Sequence, residues 1–209
     1  MNKTKRPFWG EGGEGKEATP EITIKEAGST SVVGNRILFY QQVTQESMHD
    51  LVQKLRETEE DILRTAVSWG LEEDKVPPIK LHINSYGGEV FAALGALDHI
   101  MTSKVPVHTY VDGGVASAAT LLSICGAKRF IYPNGFMLIH QISSGFWGKY
   151  EEWKDENENM ELLMDKVKDL YIEKARIPEG DLAAILKRDI WLDAMKCQEW
   201  GLVDSIKDE

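Results

Sequence analysis

The chain has 209 residues, 42% of them hydrophobic, which suits one domain with a sizeable core better than two. Its formal net charge of -10 repels a phosphate backbone and no Lys/Arg cluster offsets it, so nucleic-acid binding is not the expected task. No apolar run approaches the roughly 20 residues that span a bilayer, and the basic start Met1 to Arg6 leads into Pro7-Phe8-Trp9 rather than an apolar signal, so a cytoplasmic protein without a membrane partner is expected.

Residues 1–21 are rich in Gly, Glu and Lys and show no periodicity, the composition of a flexible tail ahead of a single domain over 22–209. The run Gly10-Glu11-Gly12-Gly13-Glu14-Gly15-Lys16-Glu17 approaches a Walker A loop, but it ends in Glu where Ser or Thr must reach magnesium, and no strand precedes it. No nucleotide is assigned to it. Arg36 to Tyr40 reads as a strand. Thr44 is a candidate N-cap for a helix carrying Met48, Leu51, Val52 and Leu55 at helical spacing, with the pattern continuing or restarting through Ile62, Leu63, Ala66 and Val67 until Pro77-Pro78 stops it.

Ile79 to Ile83 alternates as a strand does, and a turn at Tyr86-Gly87-Gly88 opens an Ala-rich helix over 89–101. The unit then repeats in kind: 105–111 is β-rich, Gly113-Gly114 is read as the turn, and 115–126 is small, apolar and helical. Strands at 130–132 and 136–139 flank the Pro133-Asn134-Gly135 turn. After the Gly/Ser-rich stretch 143–148, a long helix presents Met160, Leu163, Val167, Leu170 and Tyr171 on one face and charge on the other. Pro178 opens a short helix that includes Leu182 to Leu186. Strands separated by helical patterns imply βαβ crossovers and a largely parallel sheet, hence an α/β fold.

Serine hydrolase chemistry needs a nucleophile, a base, an orienter for the base and donors for the oxyanion. Ser117 stands at the start of the second small-residue helix, where an N-capping or core serine is the plainer reading. Its surroundings do not match the G-x-S-x-G elbow. His140 ends a strand, where parallel sheets place functional groups; His49, His82, His99 and His108 read as structural, with His82 beside Lys80 on a polar strand face. Asp189 is one acid among 34, and spacing alone does not separate it from Asp112, Asp193 or Asp204. Cys125 and Cys197 lie in no metal-ligand spacing and read as small buried residues.

Several motifs in register change these odds. Ile83-Asn84-Ser85-Tyr86-Gly87-Gly88, Gly114-Val115-Ala116-Ser117, Gly126-Ala127-Lys128-Arg129-Phe130, Pro133-Asn134, Leu138-Ile139-His140-Gln141 and Trp200-Gly201-Leu202-Val203-Asp204 together resemble the Clp protease proteolytic subunit, from about Arg36 to the C-terminus. The resemblance implies a ClpP/crotonase-like fold with a projecting handle helix over 150–175. It implies Ser117 as nucleophile, His140 as general base and Asp189 as the orienting acid, with the backbone N–H groups of Gly88 and Ala118 as oxyanion hole. No metal or organic cofactor is required. Peptides or unfolded proteins are the implied substrates, homo-oligomeric rings of seven, stacked as a tetradecamer, the implied assembly, and an AAA+ unfoldase the implied partner. Against the family pattern, Tyr86 replaces a proline, Ala118 replaces a methionine, the 44–78 segment is long and the tail lacks the usual N-terminal sequence. A phage head-maturation protease, an inactive ring subunit, a crotonase-type acyl-CoA enzyme and a Ser-Lys mechanism through Lys128 stay open as alternatives.

Overall fold

The computed structural model describes residues 30–207. The expected tail and the Walker-like run lie outside the described residues. A short edge strand β1 (Ser31–Val33) pairs antiparallel with β2 (Arg36–Phe39). From β2 inward every neighbour is parallel: β3 (Ile79–Ser85), β4 (Val107–Ala116), β5 (Lys128–Ile131) and β8 (Ser205–Ile206). The far half of β4 takes a further parallel partner, β6 (Phe136–Leu138), which carries antiparallel β7 (Leu192–Asp193). This is the expected α/β architecture. Each parallel step requires a crossover, and the helices supply it.

Helix α1 (Gln45–Trp69) starts where the Thr44 side chain accepts from Ser47 N–H and Ser47 Oγ accepts from Thr44 N–H, a reciprocal cap. It runs unbroken through Ile62 and ends because Gly70 adopts φ 62°, a left-handed C-cap; the proline pair lies well beyond the stop. Val67, read from the pattern as a core position, is 83% exposed. Helix α2 (Val90–Met101) follows the Gly87-Gly88 turn, and α3 (Ala118–Ile124) follows Ser117. Met48, Leu51 and Leu55 of α1, Leu97 and Ile100 of α2, and Leu121 and Leu122 of α3 share one core with Ile79, Leu81, Ile83, Val111 and Val115 of the sheet.

One reading of the sequence is corrected here. Gly113-Gly114 does not turn the chain: β4 continues through it with a bulge in its pairing to β3, and the turn comes at Ser117. Gly113 takes φ 75°, a left-handed conformation that favours glycine. A Cβ on Gly113 would sit 3.3 Å from Asn84 Nδ2, and one on Gly114 would meet the Trp191 and Tyr86 rings at 3.5 and 3.6 Å.

The opposite strand face is aromatic where a polar one was expected. His82 is 5% exposed, stacks on Tyr110 at 4.6 Å and shares a hydrogen bond with Asp112 at 2.9 Å, while Tyr110 stacks on Phe130 at 4.8 Å. Tyr40 donates to the same Asp112 oxygen, and burial followed by this bond pushes its phenol pKa up.

Helix α4 (Tyr150–Lys174) buries only Val167, Leu170 and Tyr171, all in its last third. Its N-terminal part stands away from the core as a handle. Helices α5 (Glu179–Ile185) and α6 (Ala194–Glu199) return the chain to the sheet edge. There Arg129 clamps the C-terminal motif, pairing with Asp204 at 2.6 Å and donating to the carbonyls of Gly201 and Lys174.

Candidate active site

Ser117 sits between the C-terminal end of β4 and the first residue of α3. Its amide is held by Leu138 O at 2.9 Å, and its carbonyl accepts from Thr120 N and Thr120 Oγ1. These bonds fix φ at 55° and ψ at -133°, and among the described residues it is the only non-glycine with positive φ. Such a conformation costs on the order of 1–3 kcal/mol and persists only where neighbours enforce it. The capping reading of this serine does not hold, since its side chain makes no cap hydrogen bond. The hydroxyl instead lines a small cleft that also receives His140, Gly88 and Ala118.

His140 follows β6, two residues past the strand end, which puts it beside the Ser117 elbow because β6 runs parallel to the last residues of β4. The adjacent Gln141 N–H donates to Leu186 O at 2.6 Å and so draws the 186–191 segment against the histidine. Asp189 Oδ1 lies 3.7 Å from His140 Nδ1, an ion-pair distance rather than a hydrogen bond, on a side chain that is 82% exposed. Trp191 anchors that segment: its ring lies over Gly114 and packs edge-on against Tyr86, centroids 6.1 Å apart. The tyrosine that replaces the family's proline therefore has a structural task.

Gly88 is held against Val43, whose N–H donates to Gly87 O and whose carbonyl accepts from Glu89 N–H. No backbone hydrogen bond among the described residues takes up the Gly88 amide itself. A Cβ on Gly88 would fall 2.1 Å from Val43 O, and one on Gly87 would fall 2.5 Å from Ser117 Cβ and 3.0 Å from Ala118 N. Two bare glycines are what let this turn reach the elbow. Ala118 is the first residue of α3, so helix geometry leaves its N–H without an intrahelical acceptor.

The competing groups are occupied elsewhere. Asp112 serves His82, Asp193 caps α6 by accepting from Lys196 N–H, and Asp204 serves Arg129. Lys128 pairs in register with His108, nine residues before Ser117 along β4, roughly 30 Å away at strand spacing. That removes it as a base for Ser117. Burial pushes the Cys125 thiol up to about 11 and the Cys197 thiol up to about 12, so neither is a ready thiolate.

The sequence profile of the Clp protease family matches residues 30–209. The chain belongs to that family. Among its relatives, an ATP-dependent Clp protease proteolytic subunit 1 of Chlamydia pneumoniae is 32% identical over 176 residues, 82% of this chain and 85% of that one. A proteolytic subunit 2 of Treponema denticola is 33% identical over 75% of this chain and 85% of its own. A proteolytic subunit 1 of Rhodopirellula baltica is 31% identical over 82% and 72%. As a Clp-family member the chain is a serine-type peptidase. No helix among the described residues is long and apolar enough to cross a membrane.

Within this Clp-family framework, sequence reasoning missed Tyr86, Trp191, Thr120 and Tyr171 as parts of the site. Local pattern offered no signal for the first two, which meet only across the sheet. Tyr171 was visible as a core position on the handle helix, and its hydroxyl, 2.5 Å from Thr120 Oγ1, was not.

Proposed function

We propose that this chain is an endopeptidase for peptides and unfolded proteins in which Ser117 is the nucleophile, His140 the general base and Asp189 the group that orients the imidazole. The observation that carries this reading is the strained Ser117 elbow sharing one cleft with His140 and the Gly88 turn. Ser117 Oγ attacks the peptide carbonyl while His140 takes its proton, and the oxyanion is met by the Gly88 and Ala118 N–H groups. Collapse expels the amine, which receives the proton from His140 and leaves an ester on Ser117. Water then adds with His140 again as base, releasing the acid and restoring the hydroxyl. Asp189 approaches within hydrogen-bond range when bound substrate orders its exposed segment, since such contacts are commonly long without substrate.

The same reading extends to assembly. Rings of seven, stacked in pairs, would enclose these sites, and an AAA+ unfoldase would deliver chains to them; the relatives carry "ATP-dependent" in their names. Replacing Ser117 with Ala tests the chemistry: peptide cleavage and labelling by a fluorophosphonate should both vanish while assembly persists. Undiminished turnover in that variant would sink the assignment.

A further inference from the structure

The Ser117 carbonyl accepts from Thr120 N–H at 3.0 Å and from the Thr120 hydroxyl at 2.6 Å. The second bond uses the hydroxyl's one proton on an atom that can only accept. In the further contact of Thr120 Oγ1 with the Tyr171 hydroxyl, at 2.5 Å, the phenol is therefore the donor. A directed chain results, from the root of the handle helix to the nucleophile's backbone: Tyr171 O–H to Thr120 O–H to Ser117 C=O. Thr120 is 0% exposed and Tyr171 2%, so water does not compete for either hydroxyl. Valine and phenylalanine would fill the same space without burying a polar group. The two hydroxyls are thus what calls for a role.

The peptide unit they act on supplies one. Ser117 C=O and Ala118 N–H belong to a single planar trans peptide and point in opposite directions, so holding the oxygen aims the N–H. Ala118 N lies toward the Gly87 turn, where a Cβ added to Gly87 would come within 3.0 Å of it. Each hydrogen bond that the oxygen accepts also polarises the amide and makes its N–H a stronger donor, as in other hydrogen-bond chains. The φ of 55° at Ser117 leaves this peptide in an orientation that needs such support. We propose that Thr120 and Tyr171 are positioning residues for the oxyanion hole: their hydroxyl chain fixes the 117–118 peptide and strengthens Ala118 N–H as the donor to the oxyanion. The inference rests on the serine-peptidase reading of Ser117.

The test compares the full-length wild type with Thr120→Val, Thr120→Ser, Tyr171→Phe, the double variant Thr120→Val/Tyr171→Phe, and Ser117→Ala. The readouts are kcat and KM on a short fluorogenic peptide and inhibition by a trifluoromethyl ketone of the same sequence. Ser117 Oγ adds to the ketone carbon as His140 takes the proton, which leaves an oxyanion for the hole to bind. Losing an oxyanion donor outright costs roughly 100- to 1,000-fold in kcat, so a misaimed one should cost at least ~10-fold. Thr120→Val should show that loss with KM unchanged and with the ketone weakened by the same factor as kcat/KM, and Thr120→Ser should restore both. Tyr171→Phe should lose roughly 2- to 10-fold in kcat, the worth of one net hydrogen bond. The double variant should be no slower than Thr120→Val, because Tyr171 acts only through the threonine hydroxyl. Wild-type kcat in Tyr171→Phe, which keeps the ring in place, overturns the proposal. So does Thr120→Ser as slow as Thr120→Val, a double variant slowed by the product of the two single losses, or a fall in kcat that leaves ketone affinity unchanged. Cleavage that persists in Ser117→Ala is a different failure, which removes the serine reading itself.

Discussion

Ser117 pairs an unfavourable backbone with a free hydroxyl, and the two can be separated by substitution. Glycine tolerates φ 55° where alanine does not, so Ser117→Gly should unfold at higher denaturant than Ser117→Ala, by about 1 kcal/mol, with both inactive. Equal midpoints would mean that the elbow is unstrained. Asp189 is the converse case, an exposed side chain whose removal touches no packing. Asp189→Asn should leave the unfolding midpoint within about 0.5 kcal/mol of wild type while slowing turnover by orders of magnitude, because the imidazole loses its correct tautomer. Wild-type turnover in Asp189→Asn would pass the orienting role to another group. These residues differ in how far they could be read beforehand. His140 ends a regular apolar strand and so stood out locally, Ser117 was singled out only by the motifs in register around it, and Asp189 lies in a segment whose place depends on Gln141 meeting Leu186 and Trp191 meeting Gly114, contacts set by tertiary structure alone.

Among the elements, most helices and strands follow their patterns, and the departures share a cause. Glycine was read as punctuation at 113–114, yet β4 continues through both, and Gly113 supplies the left-handed φ of 75° where the pairing with β3 shifts register. At Gly70 the reverse happened: the αL cap ended α1 before the prolines that seemed to end it. The C-terminal motif shows how one ion pair joins elements. Burial alone would raise the Asp204 pKa, but hydrogen bonds and charge from Arg129 outweigh it and hold the carboxyl below its ordinary value. A depressed carboxylate stabilises the fold above its unfolded pKa of about 4, and that contribution is lost as pH falls through the folded value. Asp204→Asn should therefore lower stability by about 1 kcal/mol at pH 7, the half-exposed carboxylate being partly screened. The gap between the denaturation midpoints of the two proteins should shrink steadily as pH falls below about 4; a gap that does not shrink would assign the effect to packing instead.

For the whole molecule, the handle is the feature that most needs a partner. Trp147 is 99% exposed, Tyr150 73%, Trp153 56% and Leu162 74%, an apolar display along and just before the projecting part of α4. Surfaces of this kind are covered in assemblies. Mass photometry should find particles of seven or fourteen chains, and Trp147→Ser with Trp153→Ser should shift them toward single rings; monomers alone at every salt and concentration would defeat the ring reading. Inside each subunit the central strand sets a different property. β4 is bonded along one edge to β3 and along the other first to β5 and then to β6, and the Ser117 amide continues the last of these ladders by binding Leu138. Local opening cannot free that amide without parting the sheet, so its proton exchanges with solvent only when the whole domain unfolds. The nucleophile's mounting thus belongs to the slowest-exchanging part of the chain.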